Sequence, residues 1–231
     1  MAVSAVFKKL GMVGGYSSYT NNFISLLNNN KVFLIKVFLN LIFQLGITYY
    51  IMTRTKQLDN IYLIPLIVAL FGLVYVIAST NVPLWLKAIA FTFFSYCSGK
   101  LFTIYKKKYG EEAINIAVVG ALSVFSVMFA IGATLLTFGI KLGPKVALIL
   151  FIGLICLLIA RIINILGPKL SSVRKLLYGF GIILFSLYSI FSTNNILRRS
   201  NYYNGDFITA SMDFYLDIIN LFTNILGYNN N

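Results

Sequence analysis

Long apolar stretches separated by short polar ones run along this chain almost from end to end. Seven stand out, at about 32–53, 61–80, 83–105, 114–138, 145–165, 174–197 and 207–227. Each is close to the ~20 residues that carry an α-helix across a hydrocarbon core. Their apolar positions are continuous rather than alternating, which excludes the ~10-residue alternating strands of a membrane barrel. The pattern predicts an all-α polytopic membrane protein, a seven-helix bundle forming one domain over 32–227. A polar segment at 1–31 precedes it and a short polar tail at 228–231 follows. Because 1–31 has no long apolar core, no cleavable signal peptide is expected. The linkers predicted between spans are short: 54–60, 106–112, 139–144, 166–173 and 198–205. Leu166-Gly167-Pro168 reads as a helix stop, and Pro83 as the opening of the third span.

The seventh run differs from the others. Ile208 to Leu226 is apolar enough to suggest a span, yet it holds Asp213 and Asp217, two of only six acids in the chain. Four residues are about one helical turn, so the two carboxylates share a face, and Asn220 and Asn224 extend the same stripe. Acids inside a membrane are costly unless they face a bundle interior or a water path. This segment is therefore expected to be central and screened from lipid. A seventh crossing and a re-entrant loop lining a cavity both satisfy that expectation.

Composition sharpens the picture. The chain is 59% hydrophobic and 11% charged, against about 45–50% and about 25% in soluble domains. The net charge of +13 lies in inter-helix loops, as membrane-flanking anchors do, and does not point to nucleic acid. The basic residues divide almost evenly between the two sides, so they do not fix orientation. Histidine is absent, which leaves any proton sensing near neutral pH to a carboxylate. Cys97 and Cys156 lie in apolar spans and read as small buried hydrophobes rather than a disulfide or metal site.

No HExxH, GxSxG, P-loop or dinucleotide glycine turn is present. The two aspartates share one helix, whereas an intramembrane aspartyl protease needs acids converging from two. The chain is expected not to be an enzyme and to need no cofactor. Lys36, Lys100 and Arg161 read first as bases snorkelling toward headgroups, with a counter-ion role toward Asp213 or Asp217 as the alternative. In the sixth span, Ser186, Ser189 and Thr193, with Ser192 alongside, suit helix packing through small residues. Facing the aspartates across a water path is the other reading.

Tyr215-Leu216-Asp217-Ile218-Ile219-Asn220-Leu221-Phe222 resembles the C-terminal signature of the Bax-inhibitor family, also called the transmembrane BAX inhibitor motif or lifeguard family. Gly205-Asp206-Phe207 with Ala210-Ser211 resembles its acidic-aromatic lead-in. Phe33 to Phe38 resembles the basic start of its first helix, Phe91-Thr92 its third and Phe180-Gly181 its sixth. The likeness extends from about residue 17 and is sharp in the last span. It implies a seven-helix bundle, a pH-sensitive calcium leak and, in eukaryotic and viral members, suppression of cell death. It also implies a pH-sensing aspartate pair on the last two helices. Asp217 matches the second of the pair, but the first falls at Ser192, within Phe191-Ser192-Thr193. The span at 61–82 has no charge, so the base that latches the acid in some members is missing too.

The expected site is thus Asp217, Asp213, Ser192 and Asn220, with Asp213 partly replacing the missing acid. Calcium would bind Asp217 and Asp213 transiently as a permeant ion, since carboxylates are hard oxygen ligands. Expected partners are the lipid bilayer, calcium and other membrane proteins of cell-death control. A non-conducting scaffold for channels or death regulators is the competing reading; a secondary transporter is weaker, as no inverted repeat is visible. The Ile-Ile form of the motif leans toward an endoplasmic reticulum or Golgi membrane of a eukaryotic or virus-infected cell over a bacterial inner membrane.

Overall fold

The computed structural model describes residues 24–57, 59–166, 171–198 and 205–230. Residues 24–29 form a short helical segment, ahead of α1 (Lys31–Arg54). A 3-10 turn at Asn60–Tyr62 leads into α2 (Leu63–Ala78). The helix Leu84–Thr137 then contains one non-helical residue, Gly110, at φ 82° and ψ 169°. That conformation is almost closed to residues with a Cβ, so the chain turns there, and we treat the halves as α3 (84–109) and α4 (111–137). They are followed by α5 (Pro144–Leu166), α6 (Ser171–Arg198) and α7 (Phe207–Asn229).

Among the described residues, seven long helices in all-α arrangement are present, as the hydrophobic pattern predicts. The expected linker at 106–112 is not a loop, because a single glycine accomplishes the turn. Glu111 and Glu112 follow it in the first turn of α4, where carboxylates suit the helix dipole, and Lys106 lies 3.8 Å from Glu111. Lys106 also donates to the Thr53 carbonyl at the end of α1. Pro83 precedes the first helical residue of α3 rather than occupying it. The expected polar tail is also shorter, since α7 continues through Asn229. The Leu166-Gly167-Pro168 stop and most of the 1–31 segment lie outside the described residues.

Among the described residues, four helices are long and apolar enough to cross a membrane, and one of these is Leu84–Thr137, which supplies two crossings. The 16-residue α2 is shorter. α7 is not among the four: its acids and asparagines lower its hydropathy, contrary to its reading as apolar enough to span. It has the length instead. Its 23 residues rise roughly 34 Å at 1.5 Å each, without a break, which excludes the re-entrant alternative.

α7 needs no lipid-compatible surface because the other helices wrap it. It packs on α1, α2, the α3–α4 pair and α6. Phe214 anchors one side, with ring centroids 5.2 Å from Phe125, 5.9 Å from Phe129 and 6.0 Å from Phe38. Tyr215 anchors another, 5.2 Å from Phe91 and 5.7 Å from Phe94. The outer faces of α2, α5 and the other surrounding helices expose Val, Ile, Leu and Phe, including Phe71 at 74% and Ile149 at 67%. Such a surface suits a bilayer. Two close approaches depend on glycine. A Cβ on Gly99 would lie 2.7 Å from the Thr48 carbonyl of α1, and one on Gly132 would lie 2.7 Å from the Ile190 carbonyl of α6.

α1, α3, α5 and α7 begin at one end of the bundle, called here the Lys31 end, and finish at the Arg54 end; α2, α4 and α6 run the other way.

Candidate functional site

The acidic stripe of α7 looks toward α6 and α5. Asp213, Leu216, Asp217 and Asn220 line a cavity of about 280 Å³ together with Phe185, Tyr188, Phe191, Ser192 and Asn195 of α6 and Leu154 of α5. Asp217 is only 5% exposed. The Ser192 hydroxyl hydrogen-bonds its carboxyl, and Asp213 is its nearest acid. The Asp217 Oδ2 has no hydrogen-bond partner among the described residues. A buried oxygen left unsatisfied is unfavourable, so this atom is suited to a proton, a water or a cation entering the cavity.

All four expected site residues, Asp217, Asp213, Ser192 and Asn220, thus line one space. Asn224 does not belong to it. Asn224 is fully buried one turn further along, donates to the Asn220 carbonyl at 2.6 Å, and accepts from Arg161. Gly181 of α6 makes this possible, since a Cβ there would fall 1.9 Å from the Asn224 Oδ1.

Arg161 is therefore neither a free snorkelling base nor a counter-ion to the aspartates. Its guanidinium holds Asn224 and lies over the Tyr178 ring, 5.3 Å from the centroid. Lys36 is exposed and Lys100 half-buried, and neither pairs with an acid among the described residues. Of the α6 polar stripe, Ser189 and Thr193 are buried and donate to the carbonyls one turn back, at 2.9 and 2.8 Å. They serve packing, and Ser192 alone of the stripe lines the cavity. Cys97 is buried, Cys156 exposed, and both are free thiols.

The signature residues on the other face of α7 do different work. The Tyr215 hydroxyl lies 2.6 Å from that of Thr48, which in turn donates to the Gln44 and Ser95 carbonyls, both at 3.1 Å. The Gln44 side-chain amide reaches Thr92 at 3.3 Å, and the Asn40 amide reaches Ser211 at 2.5 Å. A ladder of polar contacts thus ties α1, α3 and α7 together on the side away from the cavity.

One feature of the residues was not foreseen. Lys87 is 2% exposed and its ammonium donates to Asp206 at 2.5 Å and Thr209 at 3.1 Å. Asp206 also caps α7, accepting from the Thr209 backbone N–H at 3.0 Å. Gly205, at φ 82°, turns the chain into that cap. The available signal was Asp206 just before an apolar run, with Lys87 in the first turn of a span that begins at the same membrane face. The pair closes the Lys31 end of α7.

Comparison with known proteins adds an independent line. The family described as inhibitor of apoptosis-promoting Bax1 matches residues 30–230. Protein LIFEGUARD 1 of Arabidopsis thaliana is 34% identical over 124 residues, or 51% of this chain and 48% of that protein. A BI1-like protein of the same plant is 33% identical over 113 residues, covering 49% and 41%. Bax inhibitor 1 of Schizosaccharomyces pombe is 38% identical over 77 residues, covering 33% and 28%. The chain spans about half or less of the length of these curated relatives.

Proposed function

We propose, from the premise that this chain belongs to the family of inhibitors of apoptosis-promoting Bax1, that it is a cell-death suppressor that passes calcium across its membrane under pH control. Multi-pass insertion follows from the fold. The endoplasmic reticulum or Golgi membrane of a eukaryotic or virus-infected cell is the proposed location, and calcium acts as permeant ion rather than resident cofactor. No catalytic step is proposed.

One observation carries the conducting reading: the Asp217 Oδ2, buried and without a partner, in a cavity shared with Asp213 and Asn220. Carboxylate, amide and hydroxyl oxygens are what a hard cation exchanges for water. The Arg161–Asn224 contact favours a second reading, a non-conducting scaffold for channels or death regulators. It puts a cation one helical turn beyond Asn220, at the Arg54 end of the cavity, where it opposes calcium passage.

The test is calcium flux into liposomes holding the purified protein and a calcium dye. Conduction predicts flux in wild type that Asp217→Asn changes at least several-fold. Silence of the wild type at every pH would establish the scaffold reading. In an active protein, Ser192→Asp places a second carboxylate against Asp217, and two acids in contact compete for one proton. Flux against pH is expected to steepen in Ser192→Asp and to flatten in Asp213→Asn.

A further inference from the structure

At the Arg54 end of the bundle a second cavity, of about 160 Å³, is lined by Tyr105, Arg161, Asn164, Arg174, Tyr178 and Thr223, with Leu177 beside them. Its polar groups come from α3, α5, α6 and α7. No acid is among the lining residues, although two arginines are. Like charges brought together in a half-buried space repel one another, and nothing in the cavity neutralises them.

The arginines are also incompletely bonded. The Nε of Arg161 and of Arg174 is buried with no acceptor among the described residues. Arg161 spends one Nη on Asn224, and Arg174 donates to no acceptor among the described residues. Arg198, at the Lys31 end, is a useful contrast. Its Nε is likewise unpartnered, but its Nη donates to the Leu142 carbonyl at 3.2 Å and to Asn195 at 3.3 Å.

We infer that this cavity is a binding site for a phosphate-type anion, held by the Arg161 and Arg174 guanidinium groups. A planar guanidinium presents paired donors that match phosphate oxygens, so two of them converging on one space suit a tetrahedral oxyanion. The Tyr105, Tyr178 and Thr223 hydroxyls and the Asn164 amide add neutral donors around the same space. The volume holds roughly five waters at about 30 Å³ each, enough for a phosphate group and too small for a peptide segment.

The position suits either of two sources. Arg161 lies five residues from the end of α5 and Arg174 three residues into α6, close to where a spanning helix would leave the hydrocarbon and meet lipid phosphates. Lys106, Lys107, Lys108 and Lys175 lie at the same end and raise the local anion concentration. A phospholipid headgroup could enter from the leaflet, or free phosphate from the aqueous side. Anion binding here does not require that the protein conduct calcium.

The full purified chain in detergent provides the test. Binding of phosphatidic acid, with phosphatidylcholine as reference, is read by native mass spectrometry; inorganic phosphate is read by thermal stabilisation. One saturable phosphatidic acid is expected, and Arg161→Gln with Arg174→Gln should weaken it by about tenfold or more, as loss of charge-assisted donors implies. Lys107→Gln with Lys108→Gln, exposed at the same end and outside the cavity lining, should weaken it far less, since these lysines act on the anion only through a screened long-range field. If the double glutamine variant fails to fold, Arg161→Lys with Arg174→Lys keeps the charge, loses the fork and should still weaken binding. Stabilisation by inorganic phosphate that needs the arginines, with no lipid bound, would assign the site to the free anion. No saturable binding of either probe, binding indifferent to the arginines, or equal loss in the lysine-to-glutamine variant would overturn the proposal.

Discussion

The two faces of α7 are built from the same kinds of residue and have opposite characters. On the face toward α1 and α3, Ser211 and Tyr215 are fully buried and hydrogen-bonded, and aromatic rings fill the space around them. On the face toward α5 and α6, Asp213, Asp217 and Asn220 line a cavity, and the Asp217 Oδ2 has no hydrogen-bond partner among the described residues. Satisfied polar groups in close packing hold helices together, whereas unsatisfied ones beside free volume invite an occupant. Within the signature, Tyr215 belongs to the first face and Asp217 and Asn220 to the second. Both are interleaved within eight consecutive residues because a helix presents 215 and 217 on nearly opposite sides.

Substitution of Tyr215 should have the largest effect. Tyr215→Ala removes a fully buried ring from between Phe91 and Phe94, which is expected to destabilise by about 3–5 kcal/mol. Tyr215→Phe keeps the ring and loses the hydroxyl with its bond to Thr48, an expected loss of about 1 kcal/mol. Thermal unfolding in detergent, followed by circular dichroism, separates the two. If Tyr215→Ala unfolds like wild type, this face is not the structural one.

The same division explains how much of the protein could be read from its sequence. Among the described residues, hydrophobic runs revealed the seven long helices, even though α2 is shorter than a span and α7 less apolar than one. The turn between α3 and α4 was legible as the polar run 106–112; that Gly110 alone makes it, with helix on both sides, was not, since a cluster of charges reads equally as a loop. On α7 the acidic stripe was legible from spacing alone, and Asp213, Asp217 and Asn220 do share a cavity. Asn224 keeps the same spacing yet leaves that cavity, because Gly181 admits it against α6 and Arg161 captures it. No periodicity on α7 can report a gap on another helix. The Lys87–Asp206 pair was hidden for a similar reason: its partners are 119 residues apart, and only the packing of α3 beside α7 joins them.

A mid-sized effect is expected at the boundary between the two cavities. Gly181→Ala places a Cβ on the Asn224 Oδ1, so Asn224 must move and release Arg161. Overpacking of this kind destabilises by about 1–3 kcal/mol. Gly120→Ala is the matched control, since a Cβ there meets only the Ile225 side chain, at an ordinary 3.5 Å. Equal melting temperatures for the two variants would remove the claim that Gly181 seats Asn224.

The smallest effect on stability is expected at the residue proposed to matter most for flux. Asp217→Asn preserves shape, and the amide can still bond Ser192. It also replaces an acid held in an apolar bundle, with one oxygen unbonded, by a neutral group of the same size. Burying an incompletely paired charge is unfavourable, so the substitution is expected to leave stability within about 1 kcal/mol of wild type, with any change in the stabilising direction. Unfolding in detergent checks the magnitude, and calcium flux on the same preparation checks function. A large loss of stability would place Asp217 with Tyr215, as a structural hydrogen-bonding residue, and would erase the distinction between the two faces. Unchanged stability with altered flux is what separates a residue that lines a path from one that holds helices together.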